Sequence, residues 1–574
     1  MQFRGKSFQA MTRQSVNKLA RGFAFIIAGM ASAVTAQTVV PDAGSTLRQL
    51  DAPTVALPGK NPPIPRVAEP APSALQNAPA LRFKLNEVRI TGATVFSQTD
   101  FLPLVQPYVG REVDFAALNE IAAQVTRFYT SRGYPLATAY LPAQDIKDGA
   151  VELIVLEGRF GKVDLQNRSL VKDPNVVRYL QNLPGQIVTD AALERALLLV
   201  YDLSGVVPAQ AVLSPGANVG ETDLRVELTA GAAIAGSVEL DNHGGRFTGA
   251  NRISGALDVS SPAGWGDRFS VRLTQSDPGL TYARLGYKLP LGGSGWVMGA
   301  DYSHTRYRLG KEFSVLDASG TADTWSVSAT YPLLRARDFS LYARAGLERK
   351  EFQDRVRATS VLNDKSSRLT TLALTGDFVD GVGGGSANAF ALTWSGGDMN
   401  IETAATKAID AATARTDGGF HKWNLNYLRA QTLSGPLSAF VSLSAQKASK
   451  NLDSSEKMFL GGANGVRAYP QGEAPGDSGY LLTGELRYGF KMPALPGAME
   501  LVGFVDIGSV KTNENPFIAG ANRRNLSGGG LGLNWNAPND FSLRLSLAHR
   551  IGDAAATVGD NSKTRGWLQL VKRF

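Results

Sequence analysis

The chain has 574 residues, including 61 glycines, 28 prolines and no cysteine, and its formal net charge is +8. The absence of cysteine excludes a disulfide-stapled scaffold, thiolate metal sites and a cysteine nucleophile. Every charged residue within 1–36 is Lys or Arg. Much of the net charge therefore lies in that segment, and the rest of the chain gives little reason to expect nucleic-acid binding. No apolar run reaches the roughly 18–20 residues that a transmembrane helix needs.

Residues 1–82 are predicted to be an export signal followed by a tether. Residues 1–36 begin with basic residues, continue with the short apolar segment 22–33 and end in small residues, which is the pattern of a secretory signal peptide. Residues 37–82 are rich in proline, which fixes φ and removes a backbone donor, so we expect a semi-rigid linker there. Its proline-free segment 43–50 is long enough for two helical turns. These features indicate a protein exported into a bacterial envelope.

Residues 83–230 contain an internal repeat with an offset of 75 residues. The segment 85–90 aligns with 160–165, and Gly110 aligns with Gly185. In each copy an alternating strand is followed by an amphipathic helix and a closing strand. We therefore predict two small α+β modules, 83–158 and 159–230. Neither contains a histidine, a Ser/His/Asp set or a glycine-rich phosphate loop, so both are predicted to be binding modules.

Residues 231–574 have the periodicity of a transmembrane β-barrel. Apolar side chains alternate with polar ones, as at Trp325, Val327 and Ala329. About sixteen strands of about ten residues can be counted, enough to cross a bilayer when tilted. From the fifth strand onward the gaps are predicted to alternate strictly between long and short, whereas a soluble β-sandwich has no reason to sort its connections. The predicted fold class is mainly β: a 16-stranded antiparallel transmembrane β-barrel after two small α+β domains.

The longest predicted loop, 447–479, and one strand carry the most specific motifs. These are the loop residues Val466, Arg467, Ala468 and Tyr469, and the strand residues Phe504, Asp506 and Gly508. Together with the signal, the tether, the modules and the barrel, they resemble the two-partner secretion transporters (TpsB type, ShlB/FhaC/HecB-like). This family belongs to the POTRA-bearing superfamily that also includes BamA. The family's loop signature is Val-Arg-Gly-Tyr, so Ala468 stands in place of glycine. The resemblance covers essentially the whole chain.

The resemblance implies roles for several segments. The loop is implied to fold into the barrel, where Arg467 contacts Asp506 on the inner wall. Phe504 and Asp506 share strand parity, so both are expected to face the lumen. The modules are implied to be POTRA domains, and 43–50 is a candidate plug helix. The pair Gly133 and Tyr134 is either a POTRA motif or a helix C-cap glycine with a packed tyrosine.

The implied function is an outer-membrane pore whose periplasmic POTRA domains recognise an unfolded exported partner and which moves it to the cell surface. The implied partner is a large secreted adhesin or haemolysin-like exoprotein with an N-terminal secretion domain, and outer-membrane lipid surrounds the pore. The alternative is a BamA-like insertion factor, but such proteins usually carry more POTRA modules and no tether. No enzyme is predicted, because no Ser/Asp spacing accompanies the histidines, His243, His304, His421 and His549. We expect no cofactor, metal, nucleic acid or small-molecule substrate.

Overall fold

The computed structural model describes residues 40–50, 56–58, 82–277 and 279–574. The predicted signal peptide, 1–36, and most of the predicted linker lie outside these residues. Among the described helices, none is both long and apolar enough to span a membrane. The described chain begins with helix α1, Ala43–Arg48, and its N-terminus is closed by a capping box. The Asp42 side chain accepts a hydrogen bond from Ser45 N at 2.8 Å, and Ser45 Oγ accepts one from Asp42 N at 3.0 Å.

Residues 83–230 form two modules of the same topology. The first consists of β1 Phe83–Lys84, β2 Glu87–Thr91, α2 Gln98–Val105, β3 Glu112–Val113, α3 Phe115–Thr130, β4 Thr138–Tyr140 and β5 Ala150–Leu156. The second consists of β6 Arg159–Arg168, α4 Asp173–Leu180, α5 Asp190–Tyr201, β7 Val206–Pro215 and β8 Glu221–Ala230. The main sheets have the orders β2-β5-β4 and β6-β8-β7, and in each the first pair is parallel and the second antiparallel.

The structural repeat follows the offset seen in the sequence. Helices α2 and α4 start 75 residues apart, as do α3 and α5. The aligned glycines Gly110 and Gly185 have φ values of +83° and +80°, a conformation that favours glycine. The short helices α2 and α4 were not predicted, because each contains a proline in or near its first turns that hides the helical period. Each module has its own apolar core.

Residues 231–574, all described except 278, form a closed antiparallel barrel of sixteen strands. The barrel strands are β9 Ile234–Asp241, β10 Arg252–Ser260, β11 Arg268–Ser276, β12 Leu280–Leu291, β13 Trp296–Arg308, β14 Ala318–Arg335, β15 Phe339–Val356, β16 Val361–Asp380, β17 Ser386–Ile401, β18 Gly418–Ser434, β19 Leu437–Ala448, β22 Ser478–Met492, β23 Leu495–Lys511, β24 Arg523–Asn536, β25 Phe541–Arg550 and β26 Thr564–Arg573. Neighbours in this order pair, and β26 pairs with β9 to close the sheet. The predicted fold class is thereby confirmed.

Smaller elements lie in the connections between barrel strands. They are the strands β20 Met458–Phe459 and β21 Pro475–Gly476, the helix α6 Ala404–Ala412, and the 3₁₀ turns Lys311–Leu316, Arg357–Thr359 and Val382–Gly384. The strands β20 and β21 pair with each other within the longest connection, which runs from 449 to 477.

The predicted strict alternation of long and short gaps is wrong at one place. The connection between β15 and β16, expected to be long, is only 357–360. Both strands continue as a paired ribbon up to Val356 and Val361, beyond the apolar part of the outer face. Outside the apolar band their outward residues are mostly polar, such as Gln353 and Asp364, with Leu362 as an exception. A polar ribbon keeps its backbone pairing but shows no apolar alternation, so the extension of these strands could not be predicted from periodicity.

The second module packs against one end of the barrel. Arg335 of β14 binds Asp202 through two hydrogen bonds of 2.8 Å. Arg195 of α5 donates to the carbonyl of Pro332 at 3.1 Å. Ser204 N donates to the carbonyl of Gly266, in the turn between β10 and β11, at 3.1 Å. These contacts define the module end of the barrel, and the connection 449–477 starts from the opposite end.

Candidate functional site in the barrel lumen

The long loop, 449–477, folds back into the barrel. Its central side chains, Leu460, Val466, Ala468 and Tyr469, are fully buried and pack against the inner wall. The loop turns on itself there, because Val466 N donates to the carbonyl of Leu460 at 2.7 Å. The motif residues therefore sit inside the lumen rather than in solvent outside the barrel.

Arg467 and Asp506 are brought together by this fold. Arg467 Nε lies 2.9 Å from Asp506 Oδ2, and Nη2 lies 2.8 Å from Oδ1. The backbone N–H of Arg467 also donates to Oδ2 at 3.1 Å, and Thr483 Oγ1 donates to Oδ1 at 2.9 Å. Asp506 has no exposed side-chain surface. A buried carboxylate with four donors is a charge-assisted and directional anchor for the loop.

Arg467 has two further contacts with the wall. Its Nη1 donates to Glu485 Oε1 at 2.9 Å, and its guanidinium carbon lies 3.4 Å from the centroid of the Phe504 ring. Glu485 also accepts two hydrogen bonds from Arg487, at 2.9 and 2.7 Å. Burial alone would lower the pKa of Arg467, but hydrogen bonds and charges from Asp506 and Glu485 raise it above its ordinary value. The guanidinium therefore stays charged.

The neighbouring wall residues give the loop room. A Cβ on Gly508 would lie 2.8 Å from Leu460 Cδ2, and a Cβ on Gly528 would lie 2.5 Å from the Cβ of Ala468. Two glycines of the wall therefore permit close packing of the loop. The backbone φ angle of Ala468 is not positive. Alanine in place of the family's glycine is therefore unstrained, and its methyl group fills the space above Gly528.

Contacts from β25, β26 and the connection between them hold the other motif residues. Tyr469 Oη donates to the carbonyl of Ala554 at 2.8 Å, and the guanidinium carbon of Arg550 lies 4.6 Å from the centroid of the Tyr469 ring. Trp567 of β26 donates through Nε1 to the carbonyl of Arg467 at 2.7 Å. The motif is thus tied both to β23 and to the closing strands.

The two ends of the loop are held by separate ion pairs. Glu456 lies 2.9 Å from Lys350 Nζ and 2.7 Å from Lys422 Nζ, and its side chain is almost completely buried. Burial alone would raise the pKa of Glu456, but the two ammonium groups lower it to about 2. Glu473, also buried, lies 2.6 Å from Arg524. Charge pairs at both ends of the loop therefore add to the apolar packing of its centre.

Helix α1 lies in the same lumen and shares a lysine with the loop. Lys365 Nζ of β16 binds Asp42 Oδ2 at 2.8 Å and Asp453 Oδ2 at 2.7 Å. The first helical N–H, of Ala43, donates to Asp354 Oδ1 at 2.9 Å. Burial alone would raise the pKa of Asp42, but the charge and hydrogen bond of Lys365 lower it to about 2. One buried lysine therefore bridges the helix and the loop.

A polar cavity of about 510 Å³ remains between α1, the loop and the wall. Its lining includes Arg48, Glu348, Lys350, Asn424 and Gln471. The cavity is therefore charged and wide enough for water. The rest of the lumen at this level is occupied by α1 and the loop. The described residues contain no group of three or more His, Asp or Glu side chains placed to hold a metal ion.

Gly133 and Tyr134 lie at the junction of the two modules, away from the lumen. Gly133 follows helix α3 with φ +85°, and its carbonyl accepts a hydrogen bond from Asp190 N at 3.0 Å. The Tyr134 ring packs edge-on against Tyr129 and Phe96 of the first module. The structure thus shows a left-handed turn and a packed tyrosine that also connect to the second module.

Sequence reasoning missed several residues of the lumen. Lys350, Lys365 and Lys422 all occupy inward positions of long strands, where parity alone could have placed them. Lys350 pairs with Glu348 on its own strand at 2.8 Å. The loop and helix carboxylates that the three lysines bind, however, lie 34 or more residues away in sequence, so nothing in the sequence indicated those pairs. Glu485 shares parity with the inward Thr483 on β22, but its hydrogen bond with Arg467 could not be predicted.

Comparisons with known proteins agree on one family. The family model described as "Haemolysin secretion/activation protein ShlB/FhaC/HecB" matches residues 220–535, and the model "POTRA domain, ShlB-type" matches residues 83–158. The heme/hemopexin transporter protein HuxB of Haemophilus influenzae is 27% identical over 93% of this chain and 95% of its own length. The outer membrane transporter CdiB of Dickeya dadantii is 25% identical over 85% of this chain and 84% of its own.

A solved structure shows the same fold. CdiB from Escherichia coli aligns with a TM-score of 0.71 and 19% identity, covering 89% of this chain and 94% of that chain. The haemolysin secretion model matches more than half of the present sequence. The chain therefore belongs to the ShlB/FhaC/HecB family of haemolysin secretion and activation proteins.

Proposed function

We propose that this protein is an outer-membrane pore that moves one large unfolded exoprotein from the periplasm to the cell surface. The observation that carries the proposal is a closed sixteen-strand barrel whose lumen is filled by two separate segments, α1 and the long loop. Both are anchored to the wall through ion pairs. Membership of a family of secretion proteins supports the same function.

The short helix α1 acts as a plug in this proposal. It is six residues long and touches β13, β14 and β15 from inside. Its anchoring groups are Asp42, the N–H of Ala43 and Arg48, which donates to the carbonyl of Lys457 at 3.3 Å. Water that enters a polar lumen can replace the hydrogen-bond partners, because exchanged hydrogen bonds have small net energies, whereas the buried Ala43 and Leu47 and the Asp42 charge keep the helix docked until a client displaces it. The helix is therefore built to leave when a client enters.

The long loop sets the shape of the pathway. Arg467 holds the loop tip against β22 and β23, while Glu456 and Glu473 hold its two ends. We infer that the tip stays attached to the wall and that the segment around Asp453 moves when α1 leaves, because Lys365 joins these two parts. Loss of the tip anchor would then block secretion without preventing barrel formation.

The two modules receive the client in the periplasm. Strand β2 forms an open edge of the first module's sheet. The backbone N–H of Glu87 donates to the carbonyl of Gly149, on the side of β2 that faces β5. Backbone groups of successive strand residues point to opposite sides, so those of Val88 point to the open edge. An extended client segment can pair with such an edge by β-augmentation. The contacts of Arg335 with Asp202 then hold the second module beside the barrel entrance.

Deletion of the gene tests the proposal. The secreted proteins and the outer-membrane proteins of the deletion strain should be measured together by mass spectrometry. We expect the loss of one large exoprotein from the surface and medium, with restoration by the wild-type gene. A general loss of outer-membrane barrels would instead indicate a BamA-like insertion factor, and an unchanged secretome would contradict the proposed function.

A further inference from the structure

The outer face of the barrel carries an apolar groove on β11 to β16. The groove has a volume of about 780 Å³. Its apolar lining includes Leu285, Tyr302, Trp325, Val327 and Leu347, all of which are more than one-third exposed. An open apolar trough on a lipid-facing sheet is suited to acyl chains rather than to water.

Two arginines close the groove at the end away from the modules. Arg349 and Arg368 lie directly opposite each other in the register of β15 and β16, and both line the groove. Arg349 shares parity with the outward Leu347 and forms an ion pair with Glu351 at 2.6 Å. Asp398 lies opposite Arg368 on β17, yet no carboxylate of the described residues lies within 4.0 Å of the Arg368 guanidinium. Like charges placed directly opposite each other are unfavourable unless an anion joins them.

The arginines interrupt an aromatic belt. Tyr302, Trp325 and Arg349 follow one another in register across β13, β14 and β15, and the first two rings lie 5.5 Å apart. A second aromatic pair, Trp296 and Tyr331, lies nearer the modules with rings 4.8 Å apart. Aromatic belts mark the two membrane interfaces. The belt with Trp325 lies farther from the modules, on the side of the outer leaflet, and the two guanidinium groups lie on the same side of the groove.

We propose that this groove binds a phosphorylated, multiply acylated glycolipid of the outer leaflet, such as lipid A. The acyl chains would lie along Val327 and Leu347, and a phosphate would bridge Arg349 and Arg368. Guanidinium forks match phosphate oxygens in a bidentate manner. A phospholipid of the periplasmic leaflet would present its headgroup at the opposite end of the groove. The proposal rests on the location in the outer membrane and not on secretion.

Native mass spectrometry of the full-length protein in detergent tests this site, with purified lipid A as the probe. The double variant Arg349→Ala/Arg368→Ala should retain lipid A about tenfold less well, because two charge-assisted contacts are lost. The matched control is Arg308→Ala/Arg357→Ala, which removes the same charge from the same rim. Those two arginines already bind Asp317, at 2.7 and 3.2 Å, so their removal should leave retention unchanged.

A second variant tests the apolar part of the groove without changing its charge. Val327→Trp fills the trough and should also weaken lipid A retention, while heat-modifiable migration on gels confirms that each variant barrel is folded. Equal retention by wild type and the arginine double variant would overturn the proposal. Equal binding of phosphate-free lipid A or of phosphatidylglycerol would overturn it as well. Since the readout is bound lipid, secretion by these variants is judged separately.

Discussion

Arg467 joins the loop to the wall through a buried carboxylate that has no other cationic partner among the described residues. Asp506 accepts both side-chain bonds of the fork and the backbone N–H. Removing one partner of such a pair leaves an uncompensated buried charge, which typically costs about 3–5 kcal/mol. The consequence should fall on the position of the loop rather than on the barrel, because Asp506 lies in a strand paired along its whole length.

We therefore expect Arg467→Ala to abolish most secretion while the barrel still inserts. Arg467→Lys should be only partly active, since an ammonium keeps the charge but cannot form the fork. The measurements are client in the medium by immunoblot and barrel folding by heat-modifiable gel migration. Secretion by Arg467→Ala at the wild-type level would show that the pair does not hold the loop in its working position.

A second prediction at the residue scale concerns the pair Ala468 and Gly528. A Cβ on Gly528 would lie 2.5 Å from the Cβ of Ala468, and overpacking of this kind typically costs about 1–3 kcal/mol. Gly528→Ala should therefore reduce secretion, and the double variant Ala468→Gly/Gly528→Ala should restore it.

The control for this pair is Gly484→Ala on β22, two strands away from β24, where an added Cβ would meet no atom within 4 Å. It should secrete like wild type. Loop docking can be followed independently by protease resistance of the segment 449–477. Failure of Ala468→Gly to rescue Gly528→Ala would show that the clash is not the cause of the defect.

For single residues, the sequence predicts which face of a strand a side chain occupies better than which residues it contacts. Strand parity places Phe504 and Asp506 inward, and the structure buries both while leaving Val505 and Ile507 exposed. The roles of Glu485 and Trp567 beside Arg467 could not be predicted, since Trp567 reaches the loop from a strand 100 residues away. Such contacts depend on the closure of the barrel and leave no local pattern.

At the scale of elements, α1 is held by groups that respond to acid. Asp42 faces Lys365, Asp453 and Asp354, and its pKa in the docked helix is lowered to about 2 from an ordinary value of 3.8. A released helix exposes Asp42 to water and restores the ordinary value. The carboxylate thus stabilises docking above about pH 4, and this contribution is lost as the pH falls from about 4 towards 2.

We expect the conductance of the reconstituted pore to rise across this pH range as α1 is released. Planar bilayer recordings between pH 7 and about pH 2 measure this rise. Asp42→Asn should conduct more than wild type at neutral pH and show a smaller change with acid. A variant lacking 40–50 corrects for acid effects on the loop, where Glu456 titrates in the same range. An identical pH response with and without 40–50 would exclude the helix as the responding element.

Strands and helices could be predicted from the sequence where their apolar side chains recur with a clear period. The sixteen strands and the helices α3 and α5 follow clear apolar patterns. The extended ribbon of β15 and β16 was hidden, because strands that have left the lipid need no apolar face. The position of α1 inside the barrel could not come from its own six residues, since its stability depends on Lys365 and Asp354, more than 300 residues away.

At the scale of the whole molecule, the barrel has one lumen, and the plug, the loop and a client must share it. Nothing in the strand pattern reveals this occupation, because the inward positions would be polar in an open channel as well. If the client passes through the lumen, α1 must leave first. A covalent bond between α1 and the loop should therefore stop export while the barrel remains intact.

The absence of cysteine makes such a bond easy to install without side reactions. A Cβ at Gly44 would lie 3.0 Å from the Cβ of Ser455, 2.9 Å from its backbone N and 2.7 Å from Ser454 Oγ. Disulfides have Cβ separations of about 3.8 Å, so the bond can form once α1 moves slightly away from the loop, which also relieves the two close contacts. We expect Gly44→Cys/Ser455→Cys to export no client under oxidising conditions and to resume export with reductant. Each single variant controls for crowding at its own site and should be insensitive to reductant. Equal export by the oxidised and reduced double variant, with the disulfide verified by mass spectrometry, would mean that the client does not displace α1. The proposed route through the lumen would then be wrong.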